Sequence, residues 1–166
     1  LMVPVALVLI FILLYLNFRA TRPVFLILVN IPMALVGGII GLKVFGLYLS
    51  VSASVGFIAL FGIAVLNGLV MVEFFRNLEA EGMPRSEAVL EGAELRLRPV
   101  LMTAATTALG LVPMVWASGV GSEVQRPLAV VVVSGVVTST LLTLMVLPVL
   151  YSRFGGEAPA HGADQA

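Results

Sequence analysis

The sequence has no cysteine, one histidine and one tryptophan. Without cysteine, neither a disulfide framework nor a thiolate metal site can form. Charge is scarce as well: 11% of residues, against about 25% in an ordinary soluble domain. Nine basic and nine acidic residues cancel, so no net positive charge points to nucleic acid. The chain shows no metal-ligand spacing, phosphate loop or nucleophile elbow. Its "GGIIG" (Gly37 to Gly41) lies inside an apolar run and is not a nucleotide loop. What is abundant is apolar. Hydrophobic residues make up 60% of the chain and the mean hydropathy is +1.14, a membrane-protein composition.

Runs of roughly 17–25 apolar residues without charge mark membrane-spanning helices. Five occur, at about 1–18, 23–42, 51–75, 100–116 and 128–151. The first has no basic n-region and no small-residue cleavage site after it, so it does not read as a signal peptide. It opens on Leu1, not Met, already inside an apolar run, and the expectation is that an N-terminal part precedes it. Residues 84–98 are too charged to span. Ser86, Glu87, Val89, Leu90, Ala93 and Leu97 are spaced as a short amphipathic helix at the surface. Residues 155–166, "GGEAPAHGADQA", read as a disordered polar tail, with His161 solvated in it. The expected fold is thus an all-α membrane bundle over residues 1–154.

Five spans put the two ends of the chain on opposite sides. Arg19, Arg22, Arg76, Arg85, Arg96, Arg98 and Arg153 fall on one side; Lys43 and Arg126 fall on the other. Basic residues in short loops favour the cytoplasm. The tail and the 84–98 segment are therefore expected to be cytoplasmic. The spans are also rich in small residues, as in "PMALVGG", "TAATTALG" and "SGVVTST", and in Gly56, Gly62 and Gly68, six apart. Small residues let helix backbones approach, which argues for a packed bundle. Pro113 and Pro148 fit kinks or terminations near span ends.

Ion-driven transport needs ionisable groups at membrane depth. Of the nine acids only Glu73 falls inside an expected span, near its cytoplasmic end, where an interfacial anchor is the simpler reading. No Lys, Arg or His lies mid-span. If the intact protein moves ions against a gradient, its titrating groups lie elsewhere. This chain would then supply polar lining opposite them. Asn67, amid "GIAVLNGLVM", is one candidate; Thr103, Thr106 and Thr107 are others. On a helix Thr103 and Thr107 share a face. The other role open to all four is interhelical hydrogen bonding, worth about 0.6 kcal/mol on average. The seven methionines show no clustered spacing and fit gap-filling packing, not soft-metal ligation. No metal ligands and no cofactor are expected in this chain.

"GFIALFGIAVLNGLVMVEF", "EGAELRLRPVLMTA", "GLVPMVWASGVGSEVQRPLA" and "TLLTLMVLPVLY" resemble the last part of resistance–nodulation–division (RND) pumps. "RLRPVLMTA" is shared across such pumps, whereas "GSEVQRPLA" resembles the heavy-metal efflux branch, the CzcA/CusA kind. The resemblance runs from Leu1 to Phe154. It implies spans eight to twelve of a twelve-helix bundle, with the second large periplasmic insertion just before Leu1. It also implies a homotrimer in the bacterial inner membrane, joined to a periplasmic adaptor and an outer-membrane channel. Proton influx would drive export of the metal cation. The acidic proton carriers would lie on span four, outside this chain, and Asn67 on span ten would face them. The copper/silver branch would carry charged residues where Leu66 and Val100 stand. Their absence leans toward a divalent cargo: cobalt, zinc, cadmium or nickel. Two alternatives fit the same residues: an RND pump for organic drugs, and a non-transporting membrane scaffold that binds partners through residues 86–97.

Overall fold

The computed structural model describes residues 2–19 and 21–154. Five α-helices account for nearly all of them: α1 (Met2–Phe18), α2 (Thr21–Val44), α3 (Val51–Ala80), α4 (Arg85–Val115) and α5 (Ser122–Phe154). Four of these, α2 to α5, are long and apolar enough to cross a membrane; α1 is a shorter apolar helix. The expected tail, with His161, lies outside the described residues.

Local chemistry sets the helix ends. Ser50 caps α3, its hydroxyl accepting from the Ala53 N–H at 3.2 Å. Gly46 (φ 65°) closes α2, with Leu47 N–H donating to the Leu42 carbonyl at 2.9 Å. Gly82 (φ 92°) closes α3 in the same way, with Met83 N–H donating to the Leu78 carbonyl at 3.3 Å. Both are Schellman endings, which need a left-handed residue that glycine adopts without strain.

Three boundaries differ from the sequence reading; one is the third span, expected to end at 75, which continues as α3 to Ala80. The amphipathic segment at 84–98 is not a separate element. It forms the opening turns of α4, which runs on through Pro99 into the span. Its Ala88 and Val89 are buried, while Leu90 and Leu97 face outward. Proline removes one N–H and crowds the preceding turn, yet helices in a bundle tolerate it where neighbours hold the rod. The third difference is the Gly/Ser-rich loop before the fifth span. It is shorter than expected, because Ser122–Pro127 already belong to α5. Glu123 in that first turn suits the positive end of the helix.

α5 is the central post, packing against α2, α3 and α4, while α1 packs mainly on α2. The reason lies in its side chains. Val130, Val131, Val132, Val136, Ser139, Thr140 and Thr143 are all buried, and β-branched or small residues keep this helix slim and stiff. Gly37 and Gly41 of α2 meet Thr138 and Ser134 of α5. A side chain at Gly37 would stand 2.5 Å from Thr138 Cβ. The hydroxyls at this seam bond within α5: Ser134 donates to the Val130 carbonyl at 2.6 Å and Thr138 to the Ser134 carbonyl at 2.9 Å. At Gly56 the neighbour is backbone, the Leu128 carbonyl oxygen, 3.1 Å from where a Cβ would sit.

The three glycines spaced by six do not share a face. Gly56 and Gly68 are buried, but Gly62 looks onto open space. Six residues turn a helix by about 240°, so this spacing cannot make one stripe.

Candidate functional site

Asn67 stands near the middle of α3 and is half-buried. Beside it runs an exposed stripe of Val55, Ile58, Ala59, Gly62, Leu66 and Glu73. That spacing is one helical face. Among the described residues no hydrogen bond engages the Asn67 side chain. On α4, Thr103 and Thr106 are exposed and Thr107 is half-buried. Thr103 donates to the Pro99 carbonyl at 2.9 Å, and Thr107 to the Thr103 carbonyl at 2.8 Å. Each hydroxyl proton is thus held within its own helix, leaving the oxygen able to accept from outside.

α3 and α4 form an antiparallel pair whose register is visible near the turn. The Arg96 guanidinium lies over the Phe74 ring, 4.5 Å from its centroid. Gly92 lies against Phe75, whose Cδ1 would be 2.5 Å from a Cβ there. Two turns further along each helix, the same register brings Asn67 and Thr103 to one depth. Of the two positions where charge is absent, Leu66 lies on the open stripe and Val100 is buried. Among the described residues, no group of three or more His, Cys, Asp or Glu side chains converges.

The sequence reading passed over a second amide. Asn30 of α2 is buried, and its Nδ2 donates to Thr143 Oγ1 at 2.7 Å and to the Ala64 carbonyl at 3.2 Å. Thr143 Oγ1 donates back to Asn30 Oδ1 at 3.0 Å. This knot ties α2, α3 and α5 together at membrane depth. Ser139 and Thr140 are also buried, and their hydroxyls have no partner among the described residues. The signal was available: Asn30 interrupts "LILVNIPM" as plainly as Asn67 interrupts its own run. In a double-mutant cycle, Asn30→Ala and Thr143→Val should each lower the Tm of the full-length protein. The pair should fall no further than the worse single variant, reflecting a coupling of about 1 kcal/mol. Strictly additive losses would show that the two side chains act independently.

A third cluster holds the polar ends of three helices. Glu79 Oε1 accepts from Arg85 Nε at 2.8 Å, and Glu79 Oε2 accepts from the Tyr151 hydroxyl at 3.0 Å. The Tyr151 ring packs on Phe75 with centroids 5.2 Å apart. Glu73, the acid that fell inside an expected span, is exposed and stands outside this cluster.

Residues 1–155 match the model of the family described as AcrB/AcrD/AcrF family. The chain belongs to the AcrB/AcrD/AcrF family. It is 56% identical over 149 residues to the cobalt-zinc-cadmium resistance protein CzcA of Cupriavidus metallidurans, covering 90% of this chain and 14% of CzcA. It is 47% identical over 169 residues to the nickel and cobalt resistance protein CnrA of the same organism, covering 99% of this chain and 16% of CnrA. The crystal structure of a heavy metal efflux pump superposes with a TM-score of 0.83 at 50% identity, covering 92% of this chain and 15% of that one. Within the AcrB/AcrD/AcrF family the likeness is thus to the CzcA branch. The chain spans about a seventh of the length of these relatives.

Proposed function

We propose that this chain is a membrane section of a proton-driven exporter of divalent heavy-metal cations. One observation carries the reading. Asn67, Thr103 and Thr106 lie along open or half-open faces inside expected spans, and among the described residues no ionisable side chain stands within one turn of them on α3 or α4. Polar groups at membrane depth are costly unless something answers them. Acidic carriers on another part of the same protein would do so. A protonated carboxyl can donate to a threonine oxygen or to the Asn67 amide oxygen, and a carboxylate can accept from the Asn67 N–H groups. The section would therefore distinguish the two protonation states of its partner without titrating itself. That is the chemistry required of a wall in a proton path.

The cargo follows from relatives. CzcA and CnrA are named for cobalt, zinc, cadmium and nickel. The uncharged Leu66 and Val100 agree with that divalent set. The ligands that hold the metal would lie outside this chain. The assembly that fits is a homotrimer in the inner membrane, with the 84–98 end cytoplasmic, meeting a periplasmic adaptor and an outer-membrane channel.

The test uses the full-length protein in a metal-sensitive host. Asn67→Leu should reduce zinc, cobalt or cadmium resistance by about tenfold in tolerated concentration, the scale of one lost polar contact in a dry site. Met145→Leu, at an exposed position of α5, should leave it unchanged. Equal resistance of the two variants at equal expression would remove Asn67 from the path.

A further inference from the structure

A groove of about 660 Å³ opens among α1, α2 and α5, away from the residues of the proton path. It exists because α1 rests on α2 and leaves α5 uncovered at this end. Its walls are apolar: Phe11 of α1, Phe25 and Leu26 of α2 and Leu150 of α5 line it. Phe25 is 68% exposed, and its ring lines the groove. Two cations line the same groove, Arg22 and Arg153. Arg22 is the second residue of α2, and Arg153 is one residue from the end of α5. Both therefore sit at one polar end, and the apolar walls run from there toward the membrane interior. Among the described residues, none that lines the groove is acidic. Among the described residues neither arginine takes part in an ion pair. The first N–H groups of α2, beside Arg22, add to the positive field.

An apolar trough closed at one end by two cations fits an amphiphile with an anion at its head. Water would not fill such walls, because it needs polar partners. A helix from elsewhere in the protein would have to bring acids to this depth. A zwitterionic lipid would set its own cation against two arginines. We propose that the groove binds one anionic phospholipid. Its phosphate lies between Arg22 and Arg153, and an acyl chain lies along Phe11, Phe25, Leu26 and Leu150. The proposal rests on the membrane placement of the bundle and not on the cargo.

The experiment uses full-length protein reconstituted in phosphatidylcholine vesicles containing phosphatidylglycerol. In parallel samples, a trace of either lipid carries a photoreactive group on its acyl chain. After irradiation, labelled peptides are read by mass spectrometry. Peptides spanning Phe11 to Phe25 and Leu150 to Phe154 should be labelled about tenfold more by the phosphatidylglycerol probe, given roughly fivefold from each arginine before screening. The double variant Arg22→Gln, Arg153→Gln should bring that ratio to unity and leave labelling elsewhere unchanged. Arg22→Lys, Arg153→Lys should keep most of the preference. Equal labelling by the two probes in the unaltered protein would overturn the proposal, whether or not the glutamine variant folds. Absence of labelling by both would overturn it too, since the groove would then be covered by protein. A preference that survives the glutamine variant would place the selectivity elsewhere.

Discussion

Gly37→Leu should leave almost no folded protein. The leucine Cβ would begin 2.5 Å from Thr138 Cβ and 3.0 Å from Thr138 Cγ2. Rotating Thr138 does not relieve this, because its Cβ is fixed by the backbone of α5. The helices must part, and Gly41 loses its close seat on Ser134 one turn later. Adding even a little bulk to a packed core costs about 1–3 kcal/mol. Leucine adds four carbons, so a loss above about 3 kcal/mol is expected, from a total stability of only about 5–15 kcal/mol. Fluorescence-detected size-exclusion chromatography of the tagged full-length protein reads this directly. The expected result is loss of the monodisperse peak. Ile40→Leu, at a 55% exposed position of the same helix, should keep it. A normal peak for Gly37→Leu would mean that α2 and α5 do not meet at this seam.

The next largest loss is expected for Glu79→Ala. The carboxylate is only 7% exposed and answers two donors from two other helices. Arg85 is 33% exposed and keeps access to water when Glu79 goes, so its share is small. The Tyr151 hydroxyl cannot do so, because the residue is 1% exposed. A buried donor left without an acceptor costs about 1–3 kcal/mol. A loss of about 2 kcal/mol follows, visible as a lower Tm in detergent. Glu79→Gln keeps an acceptor for Tyr151 and should lose less. Tyr151→Phe added to Glu79→Ala should recover part of the loss, since it removes the stranded hydroxyl. An unchanged Tm for Glu79→Ala would show that this end of the bundle is held by packing alone.

The helices were legible because membrane spans announce themselves in one dimension. The apolar runs were read locally; the cap at Ser50 and the stop at Gly82 were passed over, so the end of α3 was placed too early. The continuity of α4 could not be read locally. Its first half is charged and its second apolar, with Pro99 between, so composition divides what the backbone joins. The buried polar contacts were hidden for another reason. Asn30 and Thr143 are 113 residues apart, and Glu79 and Tyr151 are 72 apart. Nothing local to either partner names the other. Asn67 and the threonines were legible as polar exceptions in apolar runs. That Gly62 and Leu66 lie on an open stripe beside Asn67 appears only once α2, α4 and α5 are seen to pack on the other sides of α3.

The contact between α2 and α5 has a mechanical consequence. At Asn30 and Thr143 it is fastened by paired hydrogen bonds. At Gly37 and Gly41 it is smooth, because the facing hydroxyls are turned into their own helix. A rod fastened at one point and sliding elsewhere swings. Were α2 to rock against α5, the pivot would be Asn30, toward the arginine-bearing surface. Its widest excursion would then fall at Lys43, about 20 Å further along the helix.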